Sequence, residues 1–349
     1  MGVGADEDPL IAYPVGRAAL VADAFGVLFR FSACSALNTL MTAVFITVKV
    51  GSHAEFEGVT AAQPFNNRRE AIRACYGCLD ARRESVVDVQ QQWGVCPMSG
   101  DWVRTWAARP DARVRLVCFP HAGGAAGFFT PWAAAISPLI EVCAVQYPGR
   151  ADRLAEECVQ EMGQLVTAVA AALATERETR SIALFGHSMG AAVAFEVALA
   201  LEHDYGRKPV HLFVSGRHAP HEVVPGDMHR RSDDELIAEL ARLGGTHDEL
   251  LADPALRAMF LPAVRGDFRL DETYRRSGYT ALSCPVTVVT GEQDGEVTPE
   301  QARRWSEVTV GGTRFESLPG DHFYLVPQAA AVISLIESEL ATSTGVYTQ

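Results

Sequence analysis

From about Arg113 onward the chain alternates short apolar runs with stretches whose apolar residues recur every three to four positions, the pattern of β-strands followed by amphipathic helices. The runs predict strands at Val114–Phe119, Val142–Tyr147, Ile182–Phe185, Leu212–Ser215, Val286–Thr290 and Arg314–Leu318. Helices are predicted over Met162–Ala174, Met189–Glu202, Pro299–Val308 and Gln328–Leu340, with Thr298 capping the third and Pro299 in its first turn. Such alternation builds an α/β fold around a mostly parallel central sheet flanked by helices.

One interval breaks the rhythm. Between about Pro225 and Gly278 there is no strand pattern, but Asp233–Leu243 places Leu236, Ile237, Leu240 and Leu243 on one helical face. Pro254–Val264 does the same with Leu256, Met259, Phe260 and Val264. A helical insertion at this point reads as a lid, about residues 225–278, over the carboxyl edge of the sheet, where α/β folds bind ligands.

Residues 1–97 show neither alternation nor repeat. Their uncharged run Phe31–Val48 is a weak candidate for a membrane span, since it is rich in Ser, Thr and Asn. Cys75 and Cys78 form a C-x-x-C pair, but Cys34 and Cys96 stand apart, so the second pair that a zinc site needs at short spacing is missing.

Composition narrows the function classes. The 349 residues, 48% hydrophobic and 21% charged, suit a large buried core, and the length exceeds one α/β domain by about 100 residues. A net charge of -13 repels phosphate backbones, which argues against a nucleic-acid partner. The 8 cysteines are too sparse for a disulfide scaffold, and no signal peptide opens the sequence, so a cytoplasmic protein without membrane attachment is expected.

The strongest chemical signal is Gly186-His187-Ser188-Met189-Gly190, between the apolar run Ile182–Phe185 and a helical stretch. In that context G-x-S-x-G places the serine on a strained strand-to-helix turn, with small neighbours to avoid collisions and its hydroxyl exposed at the top of the sheet. Ser188 is therefore the candidate nucleophile. A serine hydroxyl needs a general base and the base an orienting carboxylate, in the order Ser, acid, His for this fold.

The loop after the predicted strand Val286–Thr290 offers Asp294 as the acid, with Glu292 and Glu296 as competitors. Leu318-Pro319-Gly320-Asp321-His322 offers His322 as the base. His121, His187 and His218 also lie near predicted strand ends and read as packing or loop residues. The oxyanion of a tetrahedral intermediate calls for amide donors, and the N–H of Met189 supplies one. The Gly-rich Phe119-Pro120-His121-Ala122-Gly123-Gly124 loop supplies the other from Ala122, or its glycines simply make a turn.

Taken together, these segments resemble the stand-alone type II thioesterases of polyketide and nonribosomal peptide synthesis, from about Met98 to Leu340. The likeness rests on Phe119–Gly124, Tyr147-Pro148-Gly149-Arg150, Phe185–Ala191, Ser215-Gly216-Arg217-His218-Ala219-Pro220, Leu261-Pro262 with Arg265-Gly266-Asp267-Phe268, and Gly320-Asp321-His322-Phe323. Gly266 departs from it, since the family more often has alanine there.

The resemblance implies an α/β-hydrolase fold and release of acyl groups from the phosphopantetheine arm of acyl or peptidyl carrier proteins, by transient contact of a monomer. It implies no cofactor and no metal. It places the nucleophile on Ser188, the acid on Asp294, the base on His322 and the oxyanion donors on Ala122 and Met189. Phe128, Phe129 and Trp132 are candidates to line the acyl chamber, the alternative being a place in the core. Arg217, Arg230 and Arg231, near the start of the lid, are candidates for docking an acidic carrier. Competing readings are a general serine esterase or lipase acting on small oxygen esters, an acyl transferase or cyclase, and a non-catalytic binding protein on a hydrolase scaffold. Met98-Ser99-Gly100-Asp101 suits the start of such an enzyme, so residues 98–349 are expected to form the thioesterase unit and residues 1–97 an extension.

Overall fold

A computed structural model of the chain describes residues 20–22, 28–30, 47–49, 102–175, 180–244, 253–276 and 280–344. It divides into two compact units, Met1–Arg83 and Glu84–Gln349. In the first, β1 (Leu20–Ala22), β2 (Leu28–Arg30) and β3 (Thr47–Lys49) form an antiparallel sheet. Cys34, Cys75, Cys78 and Cys96, most of the Phe31–Val48 run, and the expected boundary at residue 98 lie outside the described residues.

The second unit is built on a sheet of β4 (Val103–Thr105), β5 (Val114–Phe119), β6 (Ile140–Val145), β7 (Ser181–His187), β8 (His211–Ser215), β9 (Val286–Gly291) and β10 (Thr313–Leu318). Their spatial order is β10-β9-β8-β7-β5-β6-β4. Every pairing is parallel except β4 with β6. The short strand β4 carries too few residues for a period to show in the sequence, which is why only six strands were expected here.

The helices are α1 (Thr130–Ala135), α2 (Met162–Thr175), α3 (Met189–His203), α4 (Asp233–Leu243), α5 (Pro254–Thr273), α6 (Pro299–Arg303) and α7 (Ala329–Thr344). Because successive side chains of a strand point to opposite faces, Val117 and Phe119 of β5 join a core with α2 and α3, while Leu116 and Cys118 join another with α1 and α7. The result is an α/β-hydrolase-type arrangement of three layers. α6 begins as expected, with Thr298 and Gln301 closing a capping box around Pro299, but its last turn tightens into a 3-10 turn over Arg304–Val308.

The insertion between β8 and β9 is helical, as predicted. Ser232 and Glu235 form a capping box at the start of α4, and the Asp253 carboxylate caps α5 by accepting the Ala255 N–H at 2.9 Å. α5 runs on past Val264 and carries Pro262 in its interior. A proline there removes one helical hydrogen bond. Burial of Leu261, Val264, Asp267 and Leu270 along the same side continues the helical period beyond it.

Candidate active site

Parallel pairing brings the carboxyl ends of the central strands side by side. Phe119 is in register with Gly186, His187 with Ser215, Ser215 with Val289 and Gly291 with Leu318. The loops after β5, β7, β8, β9 and β10 thus converge on one edge, and each holds a residue singled out in the sequence.

Ser188 lies between β7 and α3 with φ 54° and ψ -123°. Such a conformation costs a non-glycine residue about 1–3 kcal/mol and persists only where the surroundings enforce it. Here the Ser188 N–H donates to Ser215 O at 2.8 Å. The two glycines of the elbow have no room for a side chain: a Cβ at Gly186 would run into the Gly190 carbonyl, and one at Gly190 into the carbonyls of Phe119 and Pro120.

His322 follows β10, and its Nδ1 stands 3.0 and 3.1 Å from the two Asp294 carboxylate oxygens. The Asp294 side chain is fully shielded from solvent, and its Oδ1 also accepts the Glu296 N–H at 2.9 Å. A carboxylate at Nδ1 holds the ring proton there and leaves Nε2 as the basic nitrogen. The two loops are stapled together, since Gln293 N–H donates to Gly320 O and Gly320 N–H to Gln293 Oε1, each at 2.9 Å. The competing acids stand elsewhere: Glu292 is exposed, and Glu296 pairs with Arg242 at 2.6 Å.

Beneath His322 lie His187 and His121, which the sequence marks only as packing or loop residues. His187 is fully buried, with its ring centroid 4.9 Å from that of His322. Its Nδ1 bonds Ser215 Oγ at 2.9 Å, which in turn bonds the Tyr324 hydroxyl at 2.5 Å. Burial, with lesser contributions from His322 and His121, pushes the His187 pKa well below the usual histidine value. His121, wedged edge-on between Phe128 and Phe323, is driven down to about 3, chiefly by burial. Burial thus favours the neutral form of both rings, with His187 lying against His322 and His121 edge-on to His187. Gly216, at φ +59°, makes space for His187 and His322, since a Cβ there would come 2.8 Å from His187 Cε1 and 3.2 Å from His322 Cε1. Its place in Ser215-Gly216-Arg217 was the available signal.

Met189 opens α3, so its N–H belongs to the unpaired first turn and points out at the positive end of the helix. Ala122 sits on the turn after β5, closed by Gly124 N–H donating to His121 O at 2.9 Å and steadied by the Tyr147 hydroxyl on Pro120 O at 3.2 Å. Ser188 and His322 line one cavity of about 290 Å³, together with Gly216, Arg217, Phe268 and Tyr274. Its lining also carries Asp271, Glu272 and Glu222, which pair with Arg217, His229 and Arg304. A larger hollow of about 520 Å³ lies between α4 and α5, around Ile237, Leu261 and Pro262, and touches none of the candidate catalytic groups.

Two expectations are corrected. Phe129 has no exposed surface and packs edge-on against Trp132 and Phe185 in the core, so it does not line a substrate chamber. Phe128, half-buried, leans on His121 and is not among the lining residues of the cavity. Arg217 is buried and paired with Asp271 at 2.6 Å, which removes it from any docking surface, whereas Arg230 and Arg231 are exposed. Among the described residues no group of three or more His, Cys, Asp or Glu side chains is placed to hold a metal ion, and no helix is long and apolar enough to cross a membrane.

Residues 114–340 match the family model described as a thioesterase domain. The thioesterase PikA5 of Streptomyces venezuelae is 38% identical over 247 residues, which are 71% of this chain and 88% of that protein. Among solved structures, the type II thioesterase BorB from the borrelidin biosynthetic cluster superposes with a TM-score of 0.65 at 43% identity, covering 69% of this chain and 98% of that one. YbtT, a type II thioesterase from the yersiniabactin pathway, gives a TM-score of 0.63 at 32% identity, covering 68% and 97%.

Proposed function

The chain belongs to the thioesterase domain family, and from that premise we propose that it is a stand-alone type II thioesterase. It hydrolyses acyl thioesters on the phosphopantetheine arm of carrier proteins and so clears aberrant or stalled acyl groups during polyketide or nonribosomal peptide synthesis. The arm belongs to the partner protein, and the hydrolysis needs no cofactor.

His322 takes the Ser188 proton as the hydroxyl oxygen attacks the thioester carbonyl. The carbonyl oxygen, now negative, is met by the N–H groups of Ala122 and Met189. Collapse breaks the carbon–sulfur bond, and the thiol leaves with the proton from His322. Water, deprotonated by the same imidazole, attacks the acyl-serine and releases the acid, and the proton returns to Ser188. Asp294 keeps the ring in the useful tautomer and stabilises the imidazolium that forms twice in the cycle.

The observation that carries this reading is the elbow serine at φ 54° sharing one cavity with a histidine whose Nδ1 is bonded to a shielded carboxylate. Intact-mass spectrometry of a panel of acyl-loaded carrier proteins tests it. The expected result is loss of the acyl mass with the native chain and none with Ser188→Ala. Faster turnover of short oxygen esters than of any acyl-carrier would replace the reading by that of a general esterase. We assign the hydrolytic unit to residues 98–349, and a chain beginning at Met98 is expected to keep full turnover.

A further inference from the structure

The lid helix α5 touches the loop after β5 at Gly123. Asp267 Oδ2 accepts the Gly123 N–H at 2.7 Å. The same carboxylate is clasped by the Arg150 guanidinium, Nη2 on Oδ1 at 2.7 Å and Nη1 on Oδ2. Arg150 Nη1 also donates to Gly124 O at 3.2 Å, so the ion pair grips an N–H and a carbonyl on neighbouring residues of one turn. One helical turn earlier, Val264 presses on the same glycine: a Cβ at Gly123, which has φ +76°, would come 2.9 Å from Val264 Cγ2. Gly266 lets the helix lie close, since a Cβ there would stand 3.2 Å from Cys158 Cβ.

Asp267 and Arg150 are 3% and 7% exposed. A pair so buried is a poor source of stability, because the cost of desolvating both charges offsets most of their attraction, and an apolar pair of similar size would serve as well. An apolar pair would not fix the direction of a backbone N–H. That matters beside Ala122, because an oxyanion donor acts only when it points where the charge develops, and displacement by about 1 Å costs on the order of 100-fold.

We propose that Asp267, held by Arg150, is a positioning residue for the oxyanion hole: by taking the Gly123 N–H it sets the turn that aims the Ala122 N–H, so the hole is complete only when α5 is in place. The proposal rests on the reading of Ser188 as nucleophile and Ala122 as donor. It ties the lid to the chemistry through one carboxylate rather than through access alone.

The test uses the full chain with an acyl N-acetylcysteamine thioester and a trifluoromethyl ketone of matching chain length, which forms a tetrahedral oxyanion on the serine. Asp267→Asn is expected to lower kcat by about 10- to 100-fold with KM within about threefold, and to weaken the ketone by the same factor as kcat. Arg150→Met/Asp267→Leu is expected to melt near the native temperature yet keep the kcat defect, which separates aiming from stability. If Asp267→Asn does not fold, Arg150→Lys carries the same measurements, with a loss of about tenfold expected in both kcat and ketone affinity. Native kcat in a folded variant, a loss confined to KM, or a lower kcat with undiminished ketone affinity overturns the proposal. Ser188→Ala in parallel keeps the two levels apart: turnover by that variant would sink the hydrolase reading itself, whereas an inactive Ser188→Ala beside a fully active Asp267→Asn would sink only the role of Asp267.

Discussion

His322 Nδ1 is nearly equidistant from the two oxygens of Asp294, at 3.0 and 3.1 Å, and the carboxylate has no exposed surface. In the proposed mechanism its part is to select a tautomer and to balance a transient positive charge. Asp294→Asn keeps the shape and loses both effects. The expected outcome is a fall in kcat of about 10³- to 10⁴-fold with the melting temperature little changed, read by steady-state kinetics and thermal denaturation.

The elbow tolerates no added methyl. Gly190→Ala would drive a Cβ into the Phe119 carbonyl, which backbone movement alone can relieve. A loss of about 1–3 kcal/mol or more is expected, or roughly 2–4 °C of melting temperature for each kcal/mol, accompanied by loss of activity. Native stability and turnover in the Gly190→Ala variant would show that the turn is looser than described.

Phe129 and Phe128 are adjacent but differently employed. Phe129→Ala empties a fully buried site and is expected to cost about 3–5 kcal/mol in a urea melt while leaving acyl-chain preference unchanged. Phe128→Ala, at a half-buried ring, is expected to cost less. A changed chain-length profile in the Phe129 variant would restore that residue to the substrate chamber.

Acid weakens the fold through histidines buried in neutral form. His211 bonds Thr287 Oγ1 at 2.8 Å, and burial pushes its pKa down to about 4. In the unfolded chain the ring has its ordinary value near 6.5. The native state is thus favoured above pH 6.5, and this contribution is lost as pH falls from there towards 4, by up to about 1.4 kcal/mol per pH unit for one ring. Urea melts between pH 7 and pH 4.5 are expected to show the decline, and His211→Gln to reduce its slope by about one proton.

Arg230 and Arg231 remain as docking candidates once Arg217 is withdrawn. Arg231 is already shared between Asp227, at 2.9 Å, and Glu235, at 3.4 Å, so its reach towards a partner is limited. Arg230→Glu/Arg231→Glu is expected to raise KM for an acyl-carrier about tenfold, with turnover of an acyl N-acetylcysteamine thioester unchanged. Equal KM for both substrates before and after the change would move the docking surface elsewhere.

What the sequence discloses and what it hides divide along range. The elbow, the strands from Val114 to Leu318 and the amphipathic stretches of the lid are local patterns, legible because their periods and turn residues lie within a dozen positions. Chain order and their places after strands point to Asp294 and His322 as candidates, although their contact is itself distant. The Pro254–Val264 pattern covers only the first part of α5, whose buried side continues to Leu270. Arg150, Asp267, His187 and Ser215 stand in segments that the sequence singles out, but their pairing leaves no local mark, Arg150 and Asp267 being 117 positions apart. Phe128 and Phe129 are identical in type, and only the surrounding sheet and helices decide which one is core.

The hydrogen bond from Gly123 to Asp267 spans 144 residues. On a ribosome adding 5–20 residues per second, the turn after β5 emerges roughly 7–30 s before the carboxylate that fixes it. Ser188 and its flanking strand and helix are also made within that interval. A nascent chain therefore carries the serine motif well before the residues proposed to act with it, and a product ending between residues 190 and 266 has that motif without Asp267, Asp294 or His322. Asp267, Asp294 and His322 all follow that turn, the last of them 199 positions later, so the proposed site is complete only when the final loops have joined the earliest one.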